Sequence, residues 1–78
     1  MSVTVFVADG CVHCGRLLAD LDRRGVRHST VNLSREPGRL RELERLTRER
    51  RLPVVVDHER CSVGFAGGST LLEDLGLG

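Results

Sequence analysis

The stretch Gly10-Cys11-Val12-His13-Cys14-Gly15 decides how this chain is read. It sets two thiols three positions apart, between an apolar β-branched run (Val3-Thr4-Val5-Phe6-Val7) and a run with helical spacing from Arg16 to Arg24. A C-x-x-C at a strand-to-helix junction in a small α/β-patterned chain points to redox chemistry. At a helix N-terminus the first backbone N–H groups are unpaired and the dipole's positive end faces outward, so a thiolate is favoured there. The spacing predicts Cys11 near the cap, exposed and ready to attack, with Cys14 one turn later on the same side. A free thiol near pKa 8.5 is mostly protonated at neutral pH, but such surroundings bring it to roughly 3.5–7.5.

Working outward, 78 residues make one domain, expected over residues 1–78. A chain this short buries only about 60 % of its unfolded surface, so its core must be compact. The net charge of +1 gives no reason to propose nucleic acid or anionic lipid as a partner. Every basic residue other than histidine is arginine, and Lys, Ile, Gln, Tyr and Trp are absent. No run approaches 18 apolar residues, and no basic region followed by a long apolar segment opens the chain, so the expected setting is the cytoplasm without a membrane partner. Three cysteines are an odd number, which argues against a disulfide-stapled secreted scaffold.

Val3 to Val7 reads as a buried strand ended by Asp9-Gly10. Leu17, Leu18 and Leu21 give the following helix its apolar face, and Gly25 ends it as a left-handed C′ residue. Val31 and Leu33 alternate with Thr30 and Asn32 as a second strand. Ser34 is the expected N-cap of a second helix carrying Leu40, Leu43 and Leu46 on one face. The mixed Arg and Glu residues around them read as a solvated surface and not a basic recognition patch. Leu52-Pro53-Val54-Val55-Val56 is a strand opening at a proline, the polar run Asp57-His58-Glu59-Arg60 a turn, and Cys61 to Phe65 the returning strand. Cys61 is expected as a small buried hydrophobe, and His28 as a surface strand residue. Thr70 and Glu73 match a capping box for a final short helix through Leu71, Leu72 and Leu75. The expected order is β-α-β-α-β-β-α.

Over essentially its whole length the sequence resembles the glutaredoxin family of the thioredoxin fold. The resemblance rests on the strand-C-x-x-C-helix unit, on Leu52-Pro53-Val54-Val55-Val56 and on Val63-Gly64-Phe65. It implies an α/β thioredoxin-like fold, a four-stranded mixed sheet flanked by helices, whose first two strands are parallel and last two an antiparallel hairpin. By the same resemblance Pro53 is the cis-proline facing the cysteine pair, and Leu52 offers a free main-chain N–H and C=O to an extended substrate. Gly64 belongs to the same substrate-binding set. Cys11 is the expected nucleophile and Cys14 the resolving thiol of a thiol-disulfide oxidoreductase.

Glutathione-binding members of the family use a lysine two residues past the strand's aromatic residue, a Gly-Gly pair and a following acidic residue. Those positions hold Ala8, Gly64-Phe65 and Gly67 or Gly68 here, leaving Arg48, Arg50 and Arg51 as the cations for a glutathione carboxylate. Gly64-Phe65 and the Cys11-Val12-x-Cys14 pattern look more like the NrdH-type redoxins, which draw electrons from thioredoxin reductase. The resemblance therefore implies action on a disulfide-containing client protein with no bound cofactor, and nothing in the sequence demands more than a monomer. Its reducing equivalents come from thioredoxin reductase and NADPH, or from glutathione. His13 holds the position that is also histidine in the oxidising DsbA-type proteins. That likeness implies tuning of the dithiol, to about −200 to −230 mV against about −270 mV for thioredoxin.

The rival reading is a small zinc module, because Cys11-x-x-Cys14 and His58-x-x-Cys61 supply an acceptable tetrahedral set. Against it, the four residues from Pro53 to Asp57 carry the chain about 13 Å from the dithiol at ~3.3 Å each. A third reading, a redox-inert adaptor, would tolerate Cys11→Ser.

Overall fold

The structure, a computed structural model, describes residues 3–77; Met1, Ser2 and Gly78 of the expected 1–78 domain lie outside the described residues. In chain order come β1 (Val3–Val7), α1 (Val12–Arg23), β2 (His28–Asn32), α2 (Leu40–Leu46), β3 (Arg51–Leu52), β4 (Val54–Val56), β5 (Cys61–Val63) and β6 (Thr70–Leu71). Single 3-10 turns stand at Pro37–Arg39 and Glu73–Leu75.

The β-branched run at the start becomes the centre of the sheet. β1 pairs in parallel with β2, from Val3↔His28 to Val7↔Asn32, and antiparallel with β4, from Thr4↔Val56 to Phe6↔Val54. β5 joins β4 antiparallel, so the sheet runs β2-β1-β4-β5, mixed and four-stranded as the resemblance implies. A central strand is covered on both faces, which is why Val5, Phe6 and Val7 are buried in succession without alternation. Leu17, Val31, Leu33, Leu43, Leu52 and Leu72 close the core around them. Each such side chain is worth about 1.5–3 kcal/mol by its removal from water.

α1 begins and ends as its sequence dictates. Gly25 takes φ +68°, its N–H donates to Asp22 C=O (3.1 Å), and Val26 N–H donates to Leu21 C=O (2.9 Å). Those two bonds form a Schellman cap, which needs a left-handed residue at this point. Asp20, nearly buried, is paired with Arg23 and with Arg24 (2.9 Å).

Three expectations are corrected. Ser34 does not cap a helix: its Oγ accepts the Asp9 N–H (3.0 Å), and α2 starts only at Leu40, after the Pro37–Arg39 turn. Arg35 and Glu36 N–H both donate to Asn32 C=O, so the chain has already turned there. The strand expected over Leu52–Val56 is two strands. Pro53 has no N–H for a ladder, so Leu52 pairs on one side with β6 and Val54 on the other with β1. The final helix is reduced to the 3-10 turn at Glu73–Leu75: Thr70 and Leu71 are β6, and the capping box is not made. Only four residues separate Leu71 from Gly76, whose φ is +75°, too few to offset helix nucleation, whereas pairing with β3 is available at once.

Candidate active site

Cys11 stands where β1 turns into α1. Its N–H donates to Ala8 C=O (3.4 Å), and Gly15 N–H donates back to Cys11 C=O (3.2 Å). As the N-cap residue it has extended backbone, and its Sγ accepts the Cys14 N–H (3.2 Å), one of the donors a helix start leaves unpaired. Cys11 and Cys14 are joined in a disulfide with Cα atoms 5.2 Å apart. Both are buried. Cys14 at 2 % was expected, but Cys11 is only 7 % exposed, a correction to the open thiol the motif predicts. Its neighbour Val12 is 64 % exposed instead.

The turn that carries Cys11 is pinned by a ring of polar groups. Asn32 Nδ2 donates to Asp9 Oδ1 (3.0 Å), Ser34 N–H to Asn32 Oδ1 (2.9 Å), and Asp9 N–H to Ser34 Oγ. This ring ties the ends of two parallel strands together beside the dithiol. In the sequence, Asn32 shows only as a polar position alternating with Val31 and Leu33.

Phe6↔Val54 places Pro53 at the end of the sheet where β1 delivers Cys11. The Leu52–Pro53 bond is cis, and Pro53 is fully buried. Gly64 N–H donates to Pro53 C=O (2.7 Å). At φ +89° Gly64 passes so close to the returning chain that a β-carbon would meet Gly68 O at 3.0 Å.

Leu52 differs most from expectation. Leu72 N–H donates to Arg50 C=O (2.9 Å), and the β3/β6 register sets Arg51 opposite Leu71 and Leu52 opposite Thr70. Antiparallel pairs alternate between bonded and non-bonded, so 50/72 and 52/70 are the bonded pairs. Both main-chain groups of Leu52 are therefore turned to Thr70 and not free. Phe65 and Gly68 exchange N–H···O=C bonds (2.8 and 2.9 Å) across a two-residue turn at Ala66 and Gly67, both with positive φ, which is a type I′ hairpin turn. That turn folds residues 65–71 back onto the site, with Gly68 against the imidazole of His13. The capping-box pattern of Thr70 and Glu73 hides the strand beyond this turn in the sequence.

The other candidates lie elsewhere. Cys61 pairs with Val56 and Val63 with Val54, so His58 and Cys61 occupy the hairpin end away from Pro53. Among the described residues no group of three or more His, Cys, Asp or Glu side chains is placed to hold a metal ion. Cys61 is an exposed free thiol and not a buried one, because β5 is an edge strand. Its remaining burial, and secondly the charge of Glu49, push its pKa up. The His28 side chain is mostly covered, with Nδ1–H donating to Val26 C=O (3.0 Å). Arg50 reaches Glu44 (3.3 Å) and Arg51 donates to Ser69 Oγ (3.1 Å). A cavity of about 210 Å³ opens between α2 and Leu72, away from the sulfurs. Among the described residues no helix is long and apolar enough to cross a membrane.

A disulfide-forming pair at a helix start, with a cis-proline at the same end of a mixed four-stranded sheet, defines a thiol-disulfide oxidoreductase of the thioredoxin fold. The chain belongs to the glutaredoxin family, whose profile matches residues 3–60. It is similar to the solved structure of the glutaredoxin-like protein NrdH-redoxin from Escherichia coli, described as having a thioredoxin-like activity profile. Identity is 28 %, the TM-score 0.75, and the match covers 83 % of this chain and 84 % of that one. A glutaredoxin from Archaeoglobus fulgidus shares the fold at 24 % identity and TM-score 0.74, over 81 % of this chain and 74 % of that one. No curated protein sequence matches the chain.

Proposed function

We propose that this protein reduces disulfides of client proteins by a dithiol cycle, with reducing equivalents from thioredoxin reductase. The observation that carries the reading is the Cys11–Cys14 pair itself, within bonding distance and capping α1. In the reduced protein the Cys14 N–H and the helix start favour a thiolate on Cys11. That thiolate attacks one sulfur of the client disulfide. The Cys11–client bond forms, the client's S–S bond breaks, and the other client sulfur leaves as a thiolate that takes a proton. Cys14, deprotonated, then attacks Cys11 Sγ and expels the first client sulfur. The client has gained two electrons and two protons, and Cys11–Cys14 is oxidised. The exposed Val12 offers the client an apolar contact beside the sulfurs, and His13 adjusts the dithiol's potential.

The choice of donor rests on the residues around the site. Ala8 stands where glutathione binders carry a lysine, and the NrdH-redoxin likeness runs through most of both chains. The test supplies oxidised protein with NADPH and thioredoxin reductase, or with glutathione and glutathione reductase, and follows the Cys11–Cys14 bond by alkylation and mass. Turnover by the first donor alone supports the reading. Efficient turnover by glutathione replaces it with a glutathione-dependent one. Reduction by neither refutes the cycle.

A further inference from the structure

We infer that residues 65–71 form a gate over the dithiol, holding the client-docking edge of β3 until an extended client strand displaces them. The inference rests on the dithiol reading above. Four observations converge on it. The main-chain groups of Leu52 are already paired with Thr70. Arg51 Nη1 donates to Ser69 Oγ, a second tie between the same two strands. Gly68 packs on His13 inside the C-x-x-C motif. Cys11, which must be reached by a client sulfur, is 7 % exposed. The family match ends at residue 60, before this segment begins.

The segment is built to move. Its strand is two residues long, so only a few main-chain bonds hold it, and such short pairings open at low cost compared with a core strand. Gly64 precedes it, and Ala66 and Gly67 form its first turn, all with positive φ. Ala66 is the strained member, since a side chain disfavours that region. Beyond it Leu72, 1 % exposed, anchors the chain in the core. Lifting residues 65–71 about these two ends exposes Leu52 N–H and C=O, and an extended peptide restores both bonds by adding a strand. A client able to form a strand thus replaces what it removes, whereas a compact disulfide gains nothing from the edge.

The test uses the full chain carrying Cys14→Ser and Cys61→Ala, which leaves Cys11 as the single thiol. The probe is an extended peptide whose one cysteine is activated as a mixed disulfide with thionitrobenzoate. Cys11 thiolate attacks the peptide sulfur, the Cys11–peptide disulfide forms, and the thionitrobenzoate anion leaves and is read by absorbance. Hydrogen exchange is then compared in the free and trapped protein. The expected result is a Thr70 amide that exchanges at least tenfold faster after trapping, while the Leu52 amide stays protected by its new partner. A Thr70 amide equally protected in both states overturns the gate and leaves the dithiol reading intact. Failure to release thionitrobenzoate overturns the dithiol reading, and the gate with it. As a second variant, Thr70→Pro removes the N–H donated to Leu52. It is expected to speed reduction of a protein disulfide (insulin) several-fold while cystine reduction changes less than twofold. Equal changes for both substrates count against the gate.

Discussion

The imidazole of His13 lies against Gly68 so closely that a β-carbon at position 68 would overlap the ring. A side chain at position 68 fits only if the ring moves, and the contact joins the second middle residue of the cysteine motif to the returning chain. Gly68→Ala is expected to displace the His13 ring, read as a shift of its Cε1 proton resonance. The Cys11–Cys14 potential should move in the same variant if His13 tunes the dithiol. An unshifted resonance would mean that the ring already sits elsewhere.

Cys61 should be a slow thiol despite its exposure. Burial first, and Glu49 second, raise its pKa, so the thiolate fraction at neutral pH falls below that of a free cysteine. Alkylation of Cys61 with iodoacetamide at pH 7 is expected to run slower than that of free cysteine, and to accelerate as pH rises past the ordinary thiol range. Mass spectrometry of the oxidised protein isolates this site, since Cys11 and Cys14 are then protected in their disulfide.

Acid should loosen the β4–β5 hairpin. The Asp57 carboxylate accepts the N–H groups of Glu59 (2.8 Å) and Arg60 (2.7 Å), and these bonds lower its pKa. A group depressed in the folded state stabilises above its unfolded pKa of about 3.9, and that contribution fades as pH falls through the folded value. The amide resonances of Glu59 and Arg60 should titrate together below pH ~4 and move little above it. Asp57→Ala should abolish the titration.

Two leucines of α2 separate core from surface. Leu43 is 1 % exposed and Leu46 is 44 % exposed. Leu43→Ala leaves a cavity in the packed core and should cost about 2–5 kcal/mol, read as a lowered urea midpoint. Leu46→Ala should stay within about 0.5 kcal/mol. Similar losses at both positions would mean that the solvent-facing side of α2 is packed against something.

What the sequence determined by itself was local. β-Branched density made Val3–Val7 a strand buried on both faces, Gly25 could end α1 because only a left-handed residue closes that cap, and Cys11 could cap the helix it precedes. Proline at position 53 was legible as the opening of a strand, but not as the break between two strands with different partners. The tertiary structure alone decided the partners. Thr70 satisfies a capping box and a strand equally well in sequence, and the open edge of Leu52 settled the choice. Cys61 reads as buried by residue type, but the edge position of β5 exposes it. The accessibility of Cys11 belongs to the same class. A motif fixes a residue's chemistry through its nearest neighbours, whereas burial depends on how the whole folded chain packs around it.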